Sequence, residues 1–214
     1  MSSKRYAENY NEVKALGARF NSARTPEQDQ LAYFYAGNNF ILWNRVLRDI
    51  AAAHTDNIGD NARLLALGTL AIADSFITAW ESKSHYVYWR PITAIREGDN
   101  DRNVHTVGDP EWEPLLNTPN YPEYTSGANN VVGALTRMLE LYFGTDDITF
   151  TAFSQHPLAD PNTRTYHRFS DLSWDTVDVR IYQGIHFRFG DEAGRTQGRH
   201  VAEWVFRRFL QPID

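Results

Sequence analysis

The sequence predicts an all-α fold, a bundle of six or so helices, and three observations carry that prediction. Apolar residues return at helical spacing along most of the chain. Helix start signals stand ahead of several of these runs. Strand-like patterning is confined to one short stretch, ITFTAF, at residues 148–153. Residues 7–18 form a modestly amphipathic first helix. Thr25-Pro26-Glu27 supplies an N-cap with proline at the first helical position and launches a helix through Tyr35. Asn38-Asn39 breaks the chain before FILWNRVLRDIAAAH, which is again helical. NARLLALGTLAIADSFITAWESK, residues 61–83, is the longest run and is apolar on most sides, so it is predicted as the central buried helix. Arg90-Pro91 opens another helix, because proline is favoured in a first turn and forbidden deeper. From Glu97 to Tyr124, Gly98, Gly108, Pro110, Pro114, Pro119 and Pro122 amid polar residues predict a long irregular loop, of a length that commonly serves as a lid or binding loop. Thr125 or Ser126 caps a helix running through Phe143 and aims free amides at an anion. Residues 144–172 read as irregular apart from the extended piece. A helix from Trp174 to Gln183 ends at Gly184, and another runs from His186 to Phe209.

Composition narrows the function classes. The 214 residues suffice for one domain, 1–214, with a substantial core. At 42% apolar and 22% charged residues, the chain has the balance of a soluble globular protein. A net charge of −6 argues against nucleic acid as partner, since backbone phosphates call for a basic surface. No cysteine is present, so disulfides and thiolate chemistry are excluded. The longest uncharged apolar stretch, Leu64 to Ala73, is about ten residues against the roughly 20 of a membrane span, so no membrane partner is expected. MSSKRYAENYNEVKAL has no apolar core of a secretory signal, so a soluble, cytoplasmic location is the default unless a leader has been removed.

Three segments carry chemistry: Lys83 with Arg90-Pro91; Thr125-Ser126-Gly127; and Arg180 six residues before His186 in RIYQGIHFRF. A lysine and two arginines can balance most of the charge of a tetrahedral oxyanion, with guanidinium forks matching its oxygens. A hydroxyl and a glycine amide serve the remaining oxygens, which leaves a neutral histidine as covalent ligand or nucleophile. On an unbroken helix Arg180 and His186 would stand about 120° apart, and Gly184 offers the kink that turns both to one pocket. His85 is a minor candidate for carrying protons. Asn129 and Asn130 could bind substrate or satisfy loop backbone. Tyr86, Tyr88 and Trp89 fill a core or shape an organic substrate site. Arg195, Arg199, Arg207 and Arg208 read as a solvated helix face.

These segments resemble the signature of vanadium-dependent haloperoxidases and the related PAP2-type (phosphatidic acid phosphatase type 2) acid phosphatases: K-x6-R-P, then P-S-G-H, then S-R-x5-H-x3-D. The likeness covers roughly residues 80–200. Lys83 to Arg90-Pro91 fits the first block fully, Ser126-Gly127 half of the second, and Arg180 to His186 the centre of the third. Ala128 stands where the family has its acid/base histidine, Val179 replaces serine, Gly190 takes the place of the aspartate, and Asp191 comes one residue late. The resemblance implies a four-helix-bundle core and vanadate, or phosphate in the same site, bonded to His186 and held by Lys83, Arg90, Ser126, Gly127 and Arg180. His186 and Lys83 would be catalytic, with Asp191 an acceptor behind His186. Hydrogen peroxide and halide would be the substrates, as in a haloperoxidase. The alternative is a small organic or phosphorylated substrate in an acid phosphatase acting through a phosphohistidine. Ala128 leaves a third reading open, a cofactor-free or non-catalytic oxyanion-binding relative. The early position of Lys83 further implies a counterpart of the carboxyl-terminal part of longer members, with a homo-oligomer or another chain supplying cover.

Overall fold

A computed structural model describes residues 1–211. It contains α1 (Lys4–Leu16), α2 (Pro26–Phe34), α3 (Asn39–His54), α4 (Ile58–Tyr86), α5 (Pro91–Arg96), α6 (Gly127–Phe143), β1 (Phe150–Phe153), β2 (Thr163–Tyr166), α7 (Phe169–Tyr182) and α8 (Arg188–Arg208). The helical bundle predicted from periodicity is the observed architecture. Local signals act where expected: Thr25 and Gln28 form a reciprocal capping box ahead of Pro26, and Asn38 caps α3.

Three features depart from the sequence expectation. The central helix is α6 rather than α4. Residues 129–136 of α6 are all buried, with Met138 and Leu139. By contrast, only 33% of an 18-residue apolar window in the span Ile58–Arg96, which comprises α4 and α5, is buried, although by length and composition that window could cross a membrane. Leu64, Leu67 and Ala71 pack inward while Ile77 and Trp80 face out, so apolar content misplaced the core. Second, the extended piece pairs with a second strand, an antiparallel hairpin with Phe150 opposite Tyr166. Third, α7 begins five residues earlier than its sequence signal. Asp146, distant in sequence, receives the amides of Phe169 and Ser170 and so caps the helix.

The site depends on how closely α6 and α8 approach. Gly194 and Gly198 lie against the Ser126 and Asn130 carbonyls, leaving no room for a Cβ. Gly198→Ala is therefore expected to cost about 3 kcal/mol by overpacking, read as a lowered urea midpoint. A stability change below about 0.5 kcal/mol would show that the two helices can part without loss.

Candidate functional site

Lys83 occupies the last turn of α4, and Arg90 precedes Pro91 at the start of α5, so the two cations flank one short connection. Both are buried. Lys83 Nζ donates to the carbonyls of Pro122 and Glu123 at 2.8 and 2.7 Å. Arg90 Nε donates to the Tyr121 carbonyl at 2.9 Å, and Nη1 to that of Ile185 at 2.7 Å. The Tyr121 ring lies over both cations, 5.3 Å from Lys83 Nζ and 4.9 Å from the Arg90 guanidinium. The long loop thus holds the cations by its carbonyls and covers them with a ring.

Arg180 and His186 reach the same place through the end of α7. Ile185 N–H donates to the Arg180 carbonyl, Gly184 N–H donates to that of Ile181, and Gly184 adopts φ 77°. This is the Schellman pattern, in which a left-handed residue closes the helix and reverses the chain. Gly184 also presses on Gly17 and Pro114, so a side chain there would be excluded on two counts. The reversal brings His186 Nε2 to 3.0 Å from Arg90 Nη1. Arg180 Nη1 donates to Gln183 at 2.7 Å. Arg90 Nη2 and Arg180 Nε are buried without a partner among the described residues.

The hydrogen-bond network assigns the His186 tautomer. Arg90 can only donate, so Nε2 accepts and Nδ1 carries the proton. Its acceptor is Glu123 Oε1 at 2.8 Å, which also receives the Phe187 amide at 3.2 Å. Burial, reinforced by Arg90, Lys83 and Arg180, holds the imidazole well below its usual pKa, so the ring is neutral. Burial, with Arg90 alongside, lowers the Lys83 ammonium to about 7. Burial raises the Glu123 carboxyl to about 7 against the pull of Arg90 and Lys83.

Asp191 does not make the contact expected of it. Its nearest oxygen is 3.9 Å from His186 Nδ1 and instead accepts from Asn129 Nδ2 at 2.8 Å. Glu123 has taken its place because Gly190 leaves the space: a Cβ at 190 would collide with the Glu123 carboxylate. A lone glutamate in the aromatic segment NYPEYTSG, paired with a glycine where an aspartate was expected, is the sequence signal for this exchange.

Ser126 and Gly127 start α6, which has no side-chain cap, so its first amides are free for an anion. Ser126 Oγ accepts from Asn129 at 3.2 Å. Asn130 donates to Thr125 Oγ1 and the Ser126 carbonyl, so it secures the loop at the start of α6, whereas Asn129 ties that start to α7 and α8 through the Thr176 carbonyl and Asp191. Lys83, Gly127, Ala128 and Arg180 line one cavity. His85 is exposed in a different depression and does not join it.

Comparisons with known proteins identify the family to which this fold belongs. Residues 63–214 match the family described as the VCPO second helical-bundle domain. The vanadium chloroperoxidase of Curvularia inaequalis is 28% identical over 235 aligned positions, covering 82% of this chain and 38% of that enzyme. A bacterial vanadium-dependent iodoperoxidase superposes with a TM-score of 0.77 at 27% identity, over 98% of this chain and 50% of its own. A holo-type bacterial vanadium-dependent chloroperoxidase, 19% identical with a TM-score of 0.75 over 94% and 47%, shares the fold. The chain spans half or less of the length of these relatives. By fold, motif order and a family match over most of its residues, the chain belongs to the vanadium haloperoxidase and PAP2 superfamily, through the VCPO second helical-bundle domain.

Proposed function

We propose that this pocket binds vanadate and serves the oxidation of halide by hydrogen peroxide. The observation that carries the reading is the meeting of a neutral His186 with Lys83, Arg90 and Arg180, while Arg90 Nη2 and Arg180 Nε are buried and unpaired. Unpaired buried donors are costly, and an oxyanion would satisfy both. The residues therefore fit the group: His186 Nε2 as covalent ligand, and Lys83, Arg90, Arg180, Ser126 and the Gly127 amide around its oxygens. Bound vanadate would supply a Lewis-acidic centre for activating peroxide. Glu123 keeps the proton on Nδ1, which leaves Nε2 with its lone pair directed at Arg90. Arg90 Nη1, which now donates to Nε2, would turn to the anion when it arrives. Lys83, with two of its three N–H bonds directed at loop carbonyls, has one left for a bound oxygen.

Ala128 cannot give or take a proton, which favours chemistry that demands little of an acid. In a phosphatase reading of the same pocket, aryl phosphates would therefore react better than alkyl phosphates, because their leaving groups need less protonation. Comparable impairment on both classes would count against that reading.

Vanadate titration of the wild type and Arg180→Ala, followed by a bromide oxidation assay with peroxide, tests the main proposal. Arg180→Ala is expected to weaken vanadate binding at least tenfold, about 1.4 kcal/mol. Equal affinity in the two proteins would remove Arg180 from the site. Binding without turnover would assign the chain to the non-catalytic oxyanion-binding class.

A further inference from the structure

We infer that the aromatic side of the cavity lined by Lys83 and Arg180 is a subsite for a single aromatic ring, so that the substrate beside the oxyanion is a phenol-class compound. This rests on the oxyanion reading for what the ring sits beside, but its own evidence is separate. The cavity has a volume of about 340 Å³, at the small end of ligand pockets and suited to one substituted ring. Its walls are an unbroken run of aromatic side chains from α3, α4 and the long loop. Trp43 and Phe40 have ring centroids 5.8 Å apart, Phe40 and Phe76 5.6 Å, Phe76 and Trp80 5.9 Å, and Trp80 and Tyr121 4.9 Å. The first three pairs meet nearly edge to face, at 77–82°. Such walls offer both ring faces and ring edges, which an aromatic guest matches and a saturated ring does not.

Ala128 gives the space its other boundary. It lines this cavity together with Lys83 and Arg180, and an imidazole at that position would project into the volume a ligand needs. The departure that removes a proton carrier thus also makes room beside the cations. The polar end of a phenol would point to Lys83 and Arg180, and its ring to the aromatic wall. Two buried polar atoms of that wall, Asn39 Oδ1 and Trp43 Nε1, have no partner among the described residues.

The ring could arrive as a free phenol beside a separately bound oxyanion, or as the aryl ester of that oxyanion. Calorimetric titrations with inorganic phosphate, phenol, phenyl phosphate and cyclohexyl phosphate separate these sources. Phenyl phosphate is expected to bind about tenfold tighter than inorganic phosphate and about threefold or more tighter than cyclohexyl phosphate. Phenol affinity that survives saturating phosphate supports the free ring, and phenol displaced by phosphate supports the ester; both support the aryl subsite. Trp80→Leu, at a position 39% exposed, should abolish the advantage of phenyl over cyclohexyl phosphate and leave inorganic phosphate affinity unchanged. Phenyl phosphate binding no tighter than cyclohexyl phosphate would overturn the proposal. Failure of inorganic phosphate or vanadate to bind would instead defeat the oxyanion reading, and the comparison of phenol with cyclohexanol would then decide the aromatic subsite alone.

Discussion

Glu123→Ala is expected to weaken vanadate binding by 10–100-fold, about 1.4–2.8 kcal/mol, the range found when the carboxylate behind a ligating histidine is removed. The reason lies in the tautomer. Glu123 is fully buried and is the acceptor that holds the proton on His186 Nδ1. Without it the imidazole N–H is left unpaired in a buried site, and the proton can move to Nε2, where it blocks the lone pair. Glu123→Gln retains a carbonyl oxygen as acceptor and should keep affinity within a few fold of the wild type. Nitrogen-15 NMR of His186 distinguishes positioning from collapse of the fold: the Gln variant should keep the protonated Nδ1 signature, and the Ala variant should show mixed tautomers. Wild-type affinity in Glu123→Ala would mean that Arg90 alone orients the ring. Gly190→Ala should reproduce part of the defect, since the added methyl displaces the Glu123 carboxylate.

Restoring an acid/base group gives the second large effect. Ala128→His is expected to raise peroxide-dependent bromide oxidation by about 10²-fold or more, the usual contribution of a positioned proton carrier, with vanadate affinity changed only a few fold. Ala128 lines the cavity with Lys83 and Arg180, so a histidine there would enter the space beside the proposed oxyanion site. The same substitution should weaken phenol binding, because the imidazole takes the space of the guest ring. An unchanged rate would place the proton carrier elsewhere in the wild type.

Helix start signals were readable because they are local. The Thr25 cap, Pro26, the Asn38-Asn39 break and Pro91 act within one turn, and each marks an element where it is observed. The start of α7 was not readable, because its cap comes from Asp146 across an intervening hairpin. The cluster of cations around His186 was legible for a different reason. Lys83, Arg90, Arg180 and His186 keep fixed spacings imposed by a helix end, a proline and a glycine reversal; Arg90 touches His186, the charges of Lys83 and Arg180 act on the same imidazole, and Lys83 and Arg180 line the adjoining cavity.

Residue types and spacings by themselves determined a helical bundle and the cations and histidine that converge in it, because periodicity, caps and Gly184 act over a few residues. Only the tertiary structure decided which helix is central and which carboxylate serves His186. Apolar content does not say which helix other helices will surround, and α6 holds the centre because glycines on α8 let its backbone approach. Nor does spacing say whether Asp191, five residues from His186, or Glu123, sixty-three residues away, will reach Nδ1. That choice is one of volume: a glycine at 190 admits the distant carboxylate, and Asn129 engages the near one.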